Sequence, residues 1–219
     1  MHRIFLGAAC NNACITCPIG AADREPPRRF EGVEELIVKA TDDEAIAFTG
    51  GEPTLAPELP KWIALARERG APRIIVQTNA RRLAYRAYLE ELLAAGAGRL
   101  AIEATLFGSN AAMHDYHTAV EGSFKQTCTG IANAARARVQ VGVQVVATRS
   151  NYRHLVEIAR VVKALGATAA RIVIASAEGR AAAPSVQPNP EMVEPHRALA
   201  RRELASLESA RFPFVGWQP

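Results

Sequence analysis

Three cysteines fall within eight residues near the start of the chain, Cys10-Asn11-Asn12-Ala13-Cys14-Ile15-Thr16-Cys17, in the spacing C-x3-C-x2-C. Three thiolates can hold three irons of a [4Fe–4S] cube, where an ordinary electron-transfer cluster takes four cysteines. The fourth iron is then open to a small chelating ligand. Zinc is the rival metal, because it also takes clustered cysteines but prefers four closed ligands. A zinc-stabilised binding module would need a fourth ligand such as His2 or Cys128. Three thiols packed as small hydrophobes are the plainest alternative. That alternative is weakened by scarcity, since the rest of the chain supplies one further cysteine, Cys128.

A loop that does chemistry has to be carried by something. The apolar run Ile4 to Leu6, followed by Gly7, Ala8 and Ala9, reads as a strand ending in the cysteine loop. Asp23 to Arg29 is polar and proline-bearing and is expected to be irregular. Val33 to Ala40 suits a helix, and Ala45 to Thr49 a buried strand running into Gly50-Gly51. Leu59, Trp62, Ile63 and Ala66 have the spacing of one buried helical face. Arg73 to Thr78 carries contiguous Ile74, Ile75 and Val76, as a strand covered on both faces does. The alternation continues with a helix closed by Gly96, a strand over Leu100–Leu106, a helix over Ser123–Arg138 and a strand over Val139–Thr148. A stripe of Leu155, Ile158, Ala159 and Val162 and a sixth strand over Arg171–Ala175 follow.

Strand and helix alternating at this rhythm predict βαβ units on a parallel sheet. Six units are visible, so the fold class expected is α/β, a partial (β/α)6 barrel over residues 1–182. Residues 183–219 differ in kind. Ala181 to Pro190 reads as a linker, Glu191–Ser209 as a charged helix, and Phe212–Pro219 as an apolar ending that packs on or beside the barrel unless the chain continues.

Such sheets bind ligands at the carboxyl ends of their strands. The sequence places Cys10–Cys17, Gly50-Gly51-Glu52, Thr78-Asn79, Glu103–Thr105, Thr148–Asn151 and Ser176 there. Glu103 and Thr105 are two apart and so face one way, into the barrel. Gly50 and Gly51 allow a close backbone approach. His114 and His117 read as loop residues in preference to a metal pair, and Cys128 as a small core residue on a helix.

Composition narrows the class. The chain has 219 residues, 49% hydrophobic and 22% charged, within the range of a globular domain with its own core. A run of about 18 apolar residues, the length of a membrane span, is missing. The early apolar stretch is interrupted by the cysteines and does not resemble a signal peptide, so a cytoplasmic location is expected. The cysteines do not read as a disulfide framework. The formal charge is +4. Its arginines are scattered (Arg67, Arg69, Arg81, Arg82, Arg86, Arg136, Arg138, Arg160), unlike the basic stripe of a nucleic-acid reader.

The motifs together resemble the radical SAM superfamily. Cys10, Cys14 and Cys17 match its cysteine signature, Gly50-Gly51-Glu52-Pro53 its GGEP motif and Thr78-Asn79 its third-strand pair, in the family's order. The resemblance implies a [4Fe–4S] cluster on the three cysteines and S-adenosylmethionine (SAM) chelating the open iron. It also implies an electron donor such as a flavodoxin or ferredoxin. SAM would be cleaved reductively to a 5′-deoxyadenosyl radical that abstracts hydrogen from an unidentified, large substrate, such as a peptide or protein. A non-catalytic iron–sulfur protein is the alternative. The resemblance puts the Gly50-Gly51-Glu52 backbone at the SAM amino group. Thr78, Asn79, Glu103, Thr105 and Ser176 would line the SAM side, with Arg149 and Asn151 near the nucleoside. His114-Asp115-Tyr116-His117-Thr118 resembles a segment in which an arginine helps hold SAM three residues after the aspartate. Thr118 stands there instead, leaving Arg149 or Ser123 for the SAM carboxylate. A Gly51→Val variant is expected to keep the cluster and weaken SAM binding. A second cysteine cluster, as in some peptide-modifying relatives, is absent from this chain.

Overall fold

The computed structural model describes residues 1–19, 32–40, 43–207 and 209–215. The irregular segment expected at Asp23–Arg29 and the last residues of the apolar ending lie outside this range. Six strands form one sheet: β1 (His2–Phe5), β2 (Ile46–Thr49), β3 (Ile74–Thr78), β4 (Leu100–Leu106), β5 (Gln140–Ala147) and β6 (Ala169–Ile174). Every neighbouring pair is parallel, and the spatial order is the chain order. The sheet is open, with β1 and β6 as its edges.

The helices α1 (Val33–Lys39), α2 (Leu59–Glu68), α3 (Arg86–Gly96), α4 (Ala111–Thr118), α5 (Ser123–Arg136) and α6 (Leu155–Ala164) connect these strands. Alternation along each strand divides its side chains between two environments. Ile74, Val76, Ile102, Ala104, Val141, Val143 and Val145 join the helices in the main core. The residues between them face the other way, into the barrel. Gln77 stands beside Glu103 in the ladder, and Gln144 beside Arg171.

The helix expected over Glu191–Ser209 is α7 (Pro190–Glu203), started by Asn189, whose Oδ1 accepts from Glu191 N–H at 2.9 Å. It packs against α6, where Glu203 meets Lys163 at 3.3 Å and Arg160 at 3.6 Å. The chain after it does not lie on the outside. Phe212 and Val215 enter the barrel at the amino ends of the strands and form a second core with Ala47, Ile75, Ala101 and Ala169. Small inward residues make the room. A Cβ at Gly142 would sit 2.4 Å from the Phe212 ring, closer than any real contact. Arg3 donates to the Val215 carbonyl, so the first strand grips the tail.

This contact yields a coupling test. Gly142→Ala should lower stability by about 1–3 kcal/mol through overpacking, and Phe212→Ala by about 3–5 kcal/mol through the void it leaves. In the double variant the added methyl occupies part of that void, so the combined loss should fall well below the sum. Urea unfolding of the four proteins measures this, and additive losses would show that the two residues are not in contact.

Candidate functional site

The cysteine loop leaves β1 and is held from several sides by backbone hydrogen bonds. Ala13 N–H donates to Thr118 O at 2.8 Å, Ile15 N–H to His117 O at 2.9 Å, and Cys17 N–H to Cys14 O at 3.2 Å. Two arginines clamp it. Arg81 Nη1 reaches Asn12 Oδ1 at 2.8 Å and also the Asn11 carbonyl, while its Nε is fixed by Gln126 at 2.7 Å. Arg180 donates from its backbone to Cys17 O and from its side chain to Ala13 O, both at 2.9 Å. Neither clamp was expected from the sequence, where both arginines look like ordinary surface charge.

The Gly50-Gly51-Glu52 segment packs directly on this loop. Gly51 N–H donates to Gly7 O at 2.8 Å and Glu52 N–H to Ala9 O at 2.7 Å. A Cβ on Gly51 would come within 2.3 Å of the Ala9 carbonyl oxygen, and one on Gly50 (φ 128°) within 2.5 Å of the Gly7 oxygen. Glycine is required here for backbone to meet backbone, beside the strain that a side chain would face at Gly50.

Glu52 locks the arrangement. Its carboxylate, 3% exposed, accepts four hydrogen bonds: Thr54 N–H at 3.0 Å, Thr54 Oγ1 and Thr78 Oγ1 both at 2.6 Å, and Asn79 N–H at 2.6 Å. Burial pushes this carboxyl above its ordinary range against the pull of those donors. Asn79 then passes the connection on, donating from Nδ2 to Asn11 Oδ1 at 2.6 Å. Glu52 and the Thr78 hydroxyl thus join the ends of β2 and β3.

Cys10, Cys14, Cys17, Gly50, Gly51, Thr78, Asn79, Thr105 and Ser176 all line one cavity of 460 Å³ at the carboxyl ends of the strands. Its volume lies in the range of about 300–1,000 Å³ usual for small-molecule sites. Gln77, Phe107, Gln144, Val146, Arg171 and Val173 also belong to the wall. The alternation rule applied to β5 and β6 was the signal that could have added Gln144, Arg171 and Val173.

The remaining expected residues lie outside the wall. Glu103 faces the barrel interior but sits below the cavity, accepting from Gln77 Nε2 and Arg171 Nη2 at 3.0 Å each and from Val215 N–H at 2.5 Å. Asn151 is fully buried and staples a loop, donating to Phe107 O and Val146 O and accepting from Thr148 N–H. Arg149 is exposed, and its Nη1 donates to the Pro184 carbonyl at 3.3 Å. Ser123 is bound to Asp115 and Thr118. Asp115 caps α5, accepting from Gly122 N–H and Phe124 N–H at 2.7 Å each.

His114 and His117 are a correction. They are buried on α4, not in a surface loop. His117 bonds Met113 O through Nδ1 at 2.6 Å and Thr148 Oγ1 through Nε2 at 2.8 Å, while Phe107 N–H donates to His114 Nδ1 at 3.3 Å. Burial lowers the His114 pKa to about 4, so both rings act as neutral struts behind Phe107.

The donor set around the cavity fits a cluster better than a single ion. The three cysteines share the cavity wall and none is in a disulfide. Three free thiols facing one space can each hold one iron of a [4Fe–4S] cube. His2 and Cys128 do not line the cavity. Burial, followed by the nearby Glu52 carboxylate, pushes the Cys10 thiol up to about 11, so iron binding has to displace a proton.

The model of the radical SAM superfamily matches residues 4–168. The chain belongs to that superfamily. Members of the superfamily are enzymes that use a [4Fe–4S] cluster and SAM in radical chemistry. The relatives it matches include the AdoMet-dependent heme synthase of Nitratidesulfovibrio vulgaris, 29% identical over 82% of this chain and 49% of that protein. Another is the Fe-coproporphyrin III synthase of Methanosarcina barkeri, 28% identical over 67% of this chain and 36% of that protein. The chain spans half the length of these relatives or less. Among solved structures, SuiB of Streptococcus suis bound to precursor peptide SuiA superposes with a TM-score of 0.65 at 15% identity, over 80% of this chain and 39% of that one. That likeness carries the fold. Among the described residues no helix is long and apolar enough to cross a membrane.

Gly51→Val tests how far cluster and glycine segment are one unit. The Ala8–Ala9 backbone leaves no space for the side chain, so the variant should lose most of its reconstituted iron together with SAM affinity. Iron content at the wild-type level in a folded Gly51→Val protein would show that the loop moves independently of the segment.

Proposed function

We propose that this chain cleaves SAM reductively at a [4Fe–4S] cluster held by Cys10, Cys14 and Cys17. The radical formed takes hydrogen from a substrate that is large or is presented by a partner. One observation carries the reading: the three cysteines, Gly50-Gly51 and Asn79 face one cavity at the strand ends. When bound, the cluster would pass an electron from a donor such as flavodoxin or ferredoxin to SAM, which would split into methionine and a 5′-deoxyadenosyl radical. The chain's own part is to bind, orient and exclude side reactions.

Each segment has a task in this scheme. The N–H groups of Gly51 and Glu52 are already used by the cysteine loop, so the segment has carbonyl oxygens to offer the SAM amino group. Asn79, fixed by Glu52 and Asn11, stands between that segment and the loop. Thr78 acts through Glu52 and is a positioning residue. Thr105 and Ser176 lie farther round the wall, where substrate or nucleoside would rest.

Two features support a substrate larger than a free metabolite. The described part of the apolar tail, Phe212 to Val215, fills the barrel at the end away from the cysteines and does not line the cavity at the mouth. The strands β1 and β6 leave lateral edges of the kind that normally need covering. Among the similar proteins, the precursor peptide bound to SuiB agrees with a large substrate, whereas the heme synthase is named for a small-molecule product.

Replacing Cys10, Cys14 or Cys17 by alanine should reduce both cluster content and 5′-deoxyadenosine formation to background in the reconstituted protein. Cys128→Ala should retain both, since Cys128 packs against the main core. Full activity in any of the first three variants refutes the assignment. Loss of iron in Cys128→Ala would make that residue a ligand.

A further inference from the structure

The cavity wall is chemically divided. The cysteines, the two glycines and Asn79 come from β1, β2 and β3 and the loops after them. The half built on β4, β5 and β6 holds Thr105, Gln144, Val146, Arg171 and Val173. Arg171 is the one cationic side chain among the described residues of the wall, and the one carboxylate there, Glu178, stands at the exposed rim.

Arg171 is held from beneath. Its Nη2 donates to Glu103 Oε1 at 3.0 Å and to Gln144 Oε1. Its guanidinium carbon lies 4.6 Å from the centre of the Phe214 ring, so the C-terminal tail forms the bed on which the group rests. Val215 N–H bonds Glu103 Oε2 and Gln77 bonds Oε1, so the carboxylate that fixes Arg171 is itself fixed. The hold is one-sided. Among the described residues Nη1 has no partner, and Nε is buried without one. A guanidinium presents five donors and remains charged, and leaving such donors unmet inside a cavity is costly. A purely structural Arg171–Glu103 pair would not need to face a ligand cavity with half its donors idle.

We propose that Arg171 receives a carboxylate of the substrate on the β4–β6 side of the cavity, with Glu103 and the Phe214–Val215 tail as its positioning residues. This rests on the reading of the cavity as a SAM and substrate site. It assigns that substrate a chemical character, an acidic group placed opposite the cysteine half. Carboxylates of this kind occur on carboxylated tetrapyrroles and on acidic peptides, and a charge-assisted hydrogen bond from Nη1 suits either.

The test uses the reconstituted holoprotein with SAM bound and two probe pairs that differ only in blocked acid groups. One pair is coproporphyrin III and its tetramethyl ester, and the other is a short peptide carrying aspartate and its asparagine counterpart. Wild type should bind the acid of one pair roughly 10- to 100-fold more tightly than its blocked form, and the pair that responds identifies the source. Arg171→Gln should abolish the preference, and Arg171→Lys should restore part of it. Equal binding of acid and blocked form in both pairs by wild type overturns the inference, even if Arg171→Gln fails to fold. So does an Arg171→Gln protein that keeps the full preference. A fall in SAM affinity as large as the fall in acid binding also overturns it, because Arg171 would then serve SAM. Wild-type protein that holds no cluster or forms no 5′-deoxyadenosine is the separate failure of the underlying reading.

Discussion

The site depends on one buried carboxylate. Glu52 is nearly inaccessible and accepts four hydrogen bonds from three residues, two of them at the end of β3. A buried acceptor with partners on two strands fixes their relative height, because losing any donor leaves charge without solvation. The glycines beside it allow the β2 loop to lie on the backbone of the cysteine loop. Asn79 extends the same lattice to Asn11. The cysteines are therefore placed by a polar network at the strand ends, and the apolar core below it supplies the rigid support.

A second polar network governs the other half of the barrel. Glu103 gathers Gln77, Arg171 and the Val215 amide into one buried set. Burial weakens the hold of Arg171 on its proton, and the Glu103 charge opposes that tendency. The two carboxylates are close in chemistry and different in use. Glu52 organises backbone and hydroxyl donors into a scaffold, whereas Glu103 aims a cation.

Much of this was legible in the residues. Contiguous Ile74, Ile75 and Val76, the stripes on α2 and α6 and the repeating polar strand ends were enough to give six βα units and one mouth. The spacing of Cys10, Cys14 and Cys17 pointed to the metal chemistry, and the order of the motifs to the family. The misplacements share a physical cause. His114, His117, Asn151 and Ser123 are polar and flank strand ends, as site residues do, yet they are buried and meet backbone, hydroxyl or carboxylate partners of the chain itself. Their types do not reveal which of these roles a position serves. The clamps Arg81 and Arg180 were invisible because an arginine that holds a loop carbonyl looks like any other in the sequence. The entry of Phe212 and Val215 into the barrel is written as Ala47, Ala101, Gly142 and Ala169, small residues on four separate strands. Such a vacancy is recognised only once the strands are assembled.

The tail that closes the barrel has a kinetic consequence. Arg3 and Val215 are 212 positions apart, yet they meet across the barrel floor. A contact of that separation requires closing a very long loop. During synthesis the βα units can pair in order as they emerge, each strand next to its predecessor. The space bounded by Ala47, Ala101 and Gly142 nevertheless stays unfilled, and Glu103 lacks its amide donor, until residues 212–215 have been made and have docked. The half of the cavity that carries Arg171 is therefore completed after the frame for the cysteines already stands.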